Sequence, residues 1–484
     1  MLKNISLLII CLVSFLSEAQ TEIKIDVKKY SATLDPNALG ICLSFPTDDD
    51  AYFPERTRSH AEALNELKVG TLRFPMGTLA DNYMWTTPGT YGEKKLTPRV
   101  SSIEENKRLS HFIDAEGNFK ETSLDFEEYM DLVKKTNTVP VIMVNAFGHL
   151  YKGSQYTYEE IKKNAVEWVR YANVTHDYNI KYWEIGNELS VAITKGYITR
   201  KKYVDLFNDF AKAMKEIDPT IKTGLGVGFN YYDVIEKTAE FADFIIPHQY
   251  QHSAHNYEEY KNLDDVNTKS INAANKAIEK LPKKYRDKME ILVTEFNSTI
   301  PGNGSWDLPG VKVDQSNSLV KSLYTFELLQ EAFKKYDRIK YMHFWVTHSP
   351  WNDYGHNRNN SNAFDEKLNT LAQGEILKLF NTYKQEKVLE GKSKYGKIRF
   401  YAHYTPKTKK LVLFILNKDS KTVDVDIDLN NYRGNQKNSG ELFRSTTNNP
   451  NDISPVVEKC ENVVVKNDHL HLTLLPVSIR VVEF

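Results

Sequence analysis

The sequence predicts an α/β protein: a (β/α)8 TIM barrel with an appended C-terminal β-sandwich. Three observations predict it. Between about residues 36 and 384, short apolar β-branched stretches alternate with amphipathic helical stretches, strand before helix, as a parallel sheet closing on itself requires. From about residue 385 the helical period stops, and short alternating strands with Asn, Gly and Lys turns take over. The length, 484 residues, exceeds one average domain and suits a large barrel plus a second module.

The elements follow in order. Residues 21–27 alternate as a strand through Ile23, Ile25 and Val27. A strand ahead of a barrel belongs to another sheet. Barrel strands are expected at 39–45, 69–74 (closed by Pro75), 139–145, 181–185, 221–227, 241–250, 290–296 and 339–346. Helical spacing covers 59–67, 123–135 (capped by Ser123 or Asp125), 158–178, 200–217, 267–280, 316–335 and 370–383. The polar stretch 76–120 has no strong period, and a loop this long in a compact domain is functional or disordered. Strands at 397–404, 410–416, 421–429, 456–465, 469–475 and 478–484 read as the sandwich. The expected division is a signal peptide at 1–20, a strand contributed to the sandwich at 21–35, the barrel at 36–384 and the sandwich at 385–484.

Charge narrows the partners. With 63 basic and 64 acidic residues, there is no bulk attraction to nucleic acid or an anionic membrane. The aromatic content, 28 Tyr, 23 Phe and 6 Trp, suits a carbohydrate binder, since sugar rings stack on aromatic faces, though many cores look the same. Lys3, an apolar run over 5–16 and Ser17-Glu18-Ala19 read as a signal peptide cleaved near Ala19. The run is too short to span a bilayer, so the expectation is a secreted or periplasmic protein, free of the membrane after cleavage. The mature chain keeps Cys42 and Cys460, too few for a disulfide framework, with a single bridge left open.

In such a barrel the reacting groups stand at the C-terminal ends of the strands. Those ends offer Arg73, Asn145, Asn187, Glu188, His248, Tyr250, Glu295 and Trp345. Glu188 follows strand four and Glu295 closes strand seven, three βα units apart and therefore across one pocket. Two facing carboxylates are what glycosidic hydrolysis needs: one protonates the departing oxygen, and the other attacks the sugar or activates water. Arg73 and Tyr250 are placed to hold Glu295 ionised, Asn187 to bind a sugar hydroxyl, Trp345 to floor the ring, and His248 and Asn145 to position Glu188 or the sugar. An acid at Glu188, beside the Glu295 charge, is expected to titrate above an ordinary Glu.

Each residue also has a plainer reading. Glu188 could cap a helix, Arg73 could serve a structural salt bridge, His248 could be a satisfied barrel histidine, and Trp345 could be core. Glu184 reads as a buried interior carboxylate. Trp85, Trp306, Trp351 and Tyr354 lie in top-face loops, as subsite walls or as local packing. His343, His348, His356, Asp353 and Asp365 match no tight ligand spacing, so no metal and no cofactor are expected.

Five motifs in order, Leu72-Arg-Phe-Pro75, Trp183-Glu-Ile-Gly-Asn-Glu188, His248-Gln-Tyr250, Val293-Thr-Glu-Phe296 and Phe344-Trp345, resemble clan A of the glycoside hydrolases. These are retaining β/α-barrel enzymes whose Asn-Glu pair ends strand four and whose nucleophilic Glu ends strand seven. The resemblance covers about residues 36–380, and the barrel-plus-sandwich layout is similar to family 51 arabinofuranosidases and to families 39, 30 and 79. It implies Glu188 as acid/base, Glu295 as nucleophile, and a plant or algal poly- or oligosaccharide as substrate. Met76 stands where family 51 tends to show a second Gly, so endo-acting agarase-, porphyranase- or xylanase-type members of the clan also fit. A non-catalytic carbohydrate-binding barrel is the alternative from another class; it would have no chemical need for Glu188, Glu295, Arg73 and Tyr250 together. The sandwich strands carry no evident Trp, which favours a packing role.

Overall fold

Eight parallel strands close into a barrel: Leu39–Cys42, Thr71–Phe74, Val139–Val144, Tyr182–Ile185, Lys222–Gly226, Phe244–Ile246 continued by Gln249–Gln251, Glu290–Ser298 and Ile339–Phe344. The structure is a computed structural model and describes residues 21–93, 95–105, 109–228, 230–298, 317–349, 361–391, 393–435, 437–460, 462–466 and 468–484. The expected signal peptide lies outside them. Neighbouring barrel strands pair in chain order; the eighth returns to the first through Phe344 and Ile41, and the sixth to the seventh through Phe244 and Glu290. The sixth strand, expected as one run, is in two pieces. Between them lies Pro247-His248, where the proline has no N–H for the ladder.

Inside the barrel, Val141, Tyr182, Phe244, Ile246, Leu292 and Tyr341 form a cluster of their own, apart from the core the strands share with the helices. The pleat repeats every two residues. Met143, Glu184 and His343 therefore sit one layer nearer the C-terminal ends than Val141, Tyr182 and Tyr341, and all three are buried. This layering brings a charged side chain up beneath the open end of the barrel.

Capping boxes start three of the outer helices: Ser59 with Glu62 before His60–Leu67, Asp125 with Glu128 before Phe126–Thr136, and Thr157 with Glu160 before Tyr158–Val169. The last continues as a wider π turn over Arg170–Thr175. Four short helices among the described residues went unread in the sequence, Leu189–Thr194, Tyr232–Thr238, Tyr257–Lys261 and Lys283–Arg286, because four to seven residues are too few to establish a period.

Two sheets pack beyond the barrel. The larger has seven strands, in the order Val456–Cys460, Gly440–Arg444, Ser478–Glu483, Lys410–Asn417, Ile398–Thr405, Lys387–Leu389 and Tyr30–Thr33. The smaller has four, Thr21–Asp26, Val423–Asn430, His469–Leu474 and Val465–Lys466, with the first two parallel. Strand Lys410–Asn417 is apolar on both faces for a reason. Leu411, Leu413 and Ile415 fill the space between the sheets, while Val412, Phe414 and Leu416 join the barrel-side core. There Phe414 lies 5.6 Å from Phe326 of helix Leu319–Lys335, ring to ring. Buried Glu327 of the same helix receives Arg399 at 2.5 Å, Lys418 at 3.3 Å and the Tyr260 hydroxyl at 2.9 Å. Cys42 and Cys460 are both free. No helix among the described residues is long and apolar enough to cross a membrane.

Candidate active site

The C-terminal strand ends converge on Arg73, which is wholly buried. Glu184 takes the flat side of its guanidinium, with Nε at 3.1 Å and Nη2 at 2.8 Å from the two carboxylate oxygens. Nη1 donates to Glu295 Oε1 at 2.9 Å and Nη2 to Asn187 Oδ1 at 3.1 Å. One arginine thereby ties strand two to strands four and seven. Burial works against its charge, but Glu184 leads the groups that outweigh burial and keep it protonated.

Glu295 is 5% exposed, and both of its oxygens are held. Arg73 takes Oε1, and the Tyr250 hydroxyl donates to Oε2 at 2.6 Å. Burial and the Glu295 charge push the Tyr250 phenol well up, so it stays a donor. Glu188 is carried by a tight turn. Gly186 has φ 73° and Glu188 itself has φ 35° and ψ 71°, a left-handed conformation that costs a residue with a Cβ. Buried Asp81 pins this turn by accepting the Asn187 N–H at 3.1 and 3.3 Å.

His248 stands between the two carboxylates. Its Nδ1 is 2.8 Å from Glu188 Oε1 and 3.5 Å from Glu295 Oε2, and its Nε2 is 3.3 Å from Thr294 Oγ1. Burial would push the Glu188 carboxyl up, but the hydrogen bond and charge of His248, with Arg73 behind, outweigh it and hold the carboxyl below the usual Glu range. The sequence expectation of a raised Glu188 is therefore corrected, because His248 supplies a counter-charge closer than Glu295. On His248, burial lowers the imidazolium, and Glu295 and Glu188 together outweigh it and raise it. Each group of this hydrogen-bonded pair thus favours the charged form of the other. His248→Asn is expected to move the alkaline limb of kcat/KM to lower pH, because Glu188 alone must then hold the proton. An unmoved limb in the pH–rate profile would count against this.

Glu188, His248 and Glu295 each offer an atom, all within 4.8 Å of one another, which is also the spacing of a metal site. Each Glu295 oxygen already accepts one hydrogen bond, from Arg73 on Oε1 and from Tyr250 on Oε2, and keeps a lone pair for other chemistry.

A family model described as "Alpha-L-arabinofuranosidase 1 domain" matches residues 63–268. Among curated relatives, the intracellular exo-alpha-(1->5)-L-arabinofuranosidase of Acetivibrio thermocellus is 24% identical over 328 residues, 58% of this chain and 58% of that one. The probable alpha-L-arabinofuranosidase C of Aspergillus fumigatus is 27% identical over 177 residues, 33% of this chain and 30% of that one. The matched stretch thus spans less than two thirds of these relatives' length. Among solved structures, the alpha-L-arabinofuranosidase of Thermotoga maritima in complex with arabinose aligns with 96% of this chain and 100% of its own, at TM-score 0.72 and 18% identity. These likenesses support a clan A glycoside hydrolase close to family 51.

Against that clan frame, the remaining sequence candidates divide. Trp345 is half-buried with its ring edge beside Gly77 and Glu295. Asn187 is 5% exposed and turned inward, its Oδ1 to Arg73 and its Nδ2 to Thr78 Oγ1 at 3.3 Å. Asn145 does not reach Glu188. It accepts from Gly148 N at 2.8 Å and donates to Ser101 Oγ at 3.3 Å, so it organises the long loop instead. Trp85 is no subsite wall: it is fully buried, its Nε1 donates to Asn164 O at 2.8 Å, and its ring stacks on Trp168. Trp306, Trp351 and Tyr354 lie outside the described residues, as do Asp353 and His356. His343 and His348 are buried, and burial pushes them down to about 3 and about 4, marking neutral packing histidines.

Thr78 and Asp81, which sit in the aperiodic loop after strand two, carry no signal in the sequence. Only the Gly two residues past Pro75 carried a signal. A Cβ on Gly77 would meet Glu295 Oε1 at 2.4 Å and Trp345 Cη2 at 2.9 Å. Arg73 and Tyr250 fix the position of that carboxylate through both of its oxygens. Gly77→Ala is expected to lower kcat about 10²-fold by displacing Glu295, with thermal unfolding little changed. Undiminished kcat would show that the carboxylate has room to give.

Proposed function

We propose that this protein is an exported, retaining glycoside hydrolase that releases arabinofuranosyl residues from plant poly- or oligosaccharide. The observation that carries the reading is the carboxylate pair: an oxygen of Glu188 and an oxygen of Glu295 lie within 4.8 Å, with His248 on the first and Arg73 and Tyr250 on the second. Retaining glycosidases hold their carboxyls at about 5–5.5 Å, whereas inverting ones leave about 6.5–9.5 Å for a water.

The chemistry follows in two steps. Glu295 attacks the anomeric carbon, its C–O bond to the aglycone breaks, and Glu188 delivers the proton to the departing oxygen. The ester on Glu295 is then cleaved by water, whose proton returns to Glu188. The Glu188–His248 pair stores that proton between steps, and Arg73 with Tyr250 returns Glu295 to the same place. No cofactor enters. The arabinofuranosyl assignment is supported by the names of the relatives and the domain description. Export is supported by Lys3, the apolar run over 5–16 and Ser17-Glu18-Ala19, although the Acetivibrio relative is named as intracellular.

The test is hydrolysis of 4-nitrophenyl α-L-arabinofuranoside and of arabinan by purified protein, with the first-formed anomer read by proton NMR. Arabinose with retained configuration is expected. Oligosaccharides from polysaccharide with the aryl glycoside untouched would replace the reading by an endo-acting one. Sugar binding with no turnover would replace it by a binding barrel. Protein recovered from culture fluid is expected to begin just after Ala19.

A further inference from the structure

A cavity of about 520 Å³ runs from Glu188 toward the ends of the fifth and sixth strands. Its walls include Glu188, His248 and Tyr250, but not Glu295, Arg73 or Trp345. This asymmetry orients it. In the proposed reaction the anomeric carbon lies at Glu295 and the bridging oxygen at Glu188. A cavity with the acid in its wall and the nucleophile outside it therefore lies beyond the bridging oxygen. We infer that this cavity receives the leaving-group sugar, and that Arg200 and Ser190 select it; the inference rests on the proposed roles of Glu188 and Glu295.

The walls suit a neutral sugar. Gly226 and Gly228 place bare backbone against the acid's turn, and a Cβ on Gly226 would come within 3.1 Å of Glu188 N. Arg200 lies flat on Tyr231, its guanidinium carbon 4.3 Å from the ring centroid, and Nη1 is anchored on Asn230 O at 2.9 Å and Asp233 at 2.8 Å. The Asp233 contact offsets the charge, so the cavity does not call for an anionic sugar. Arg200 is exposed and Ser190 half-buried; Nε and Nη2 of Arg200 and the hydroxyl of Ser190 take no protein partner among the described residues and are open to solvent, and both side chains line the cavity. Donors fixed in place and left unpaired beside an acid are what the hydroxyls of a leaving sugar would use. The selectivity therefore falls on the aglycone and leaves the sugar at Glu295 untouched.

The experiment compares Arg200→Ala and Ser190→Ala with wild type on two substrates. One is α-1,5-arabinotriose, whose leaving group carries hydroxyls. The other is 4-nitrophenyl α-L-arabinofuranoside, whose leaving group carries none and which reports folding and chemistry. Arg200→Ala is expected to lower kcat/KM on the triose roughly tenfold or more, while the aryl glycoside stays within about twofold; Ser190→Ala should follow the same pattern more weakly. Equal losses on both substrates, or no loss on either, would overturn the inference while the proposed function stood. Wild-type protein that turned over neither substrate would remove the proposed function, and the inference with it.

Discussion

Glu295→Ala is expected to lose on the order of 10⁴- to 10⁶-fold in kcat, because the covalent route disappears with its nucleophile. The fold should persist. Arg73 keeps both Glu184 oxygens, and the chief structural cost is a Tyr250 hydroxyl left without its acceptor, about 1–3 kcal/mol. Glu188→Ala should lose less, about 10²- to 10⁴-fold, and mainly on substrates with poor leaving groups. Azide separates the two roles. In the Glu295 variant it enters the vacated space and attacks the substrate directly, giving a glycosyl azide of inverted configuration. In the Glu188 variant it attacks the sugar ester on Glu295, giving retained configuration. NMR of the two azides reads the assignment: exchanged configurations would mean exchanged roles, and two inverted products would mean that no covalent intermediate forms.

The parts of this molecule legible in the sequence are those whose physics is local and periodic. Barrel strands such as Val139–Val144 and Glu290–Ser298 are apolar because helices cover one face and the interior packs the other. A strand end in such a barrel fixes where its last side chains go, which is why the meeting of Glu188 with Glu295 could be read from spacing alone. Contacts made by aperiodic chain could not be read. Gly77, Thr78 and Asp81 act through a backbone path that no repeat announces, and the protein partners Asn145 takes, Gly148 and Ser101, lie on loops. Trp85 misled for a related reason: a tryptophan in a polar loop reads as exposed until helix Tyr158–Val169 is seen to bring Trp168 beneath it. The direction of the Glu188 shift needed a distance. Sequence shows that Glu295 and His248 are both near, and only geometry shows which wins.

Arg73→Met carries the largest expected cost in stability, about 3–5 kcal/mol. The guanidinium is wholly buried, and it is the cation shared by Glu184, whose side chain is 1% exposed, and Glu295, at 7%. Methionine fills most of the volume, so the loss is electrostatic: two carboxylates remain in the interior with no opposite charge between them. If that is the cause, removing one of those charges should return part of the loss. The double variant Arg73→Met with Glu184→Gln is therefore expected to be more stable than the sum of the two single changes implies, a coupling measurable from urea midpoints followed by tryptophan fluorescence. Strict additivity would mean that Arg73 stabilises by packing, and that its contacts with Glu184 and Glu295 are incidental to the fold. Activity should not recover with stability in the double variant. Glu295 would still lack the Nη1 donor at 2.9 Å and Asn187 the Nη2 donor at 3.1 Å, so the carboxylate and the turn that carries Glu188 would both lose the group that places them.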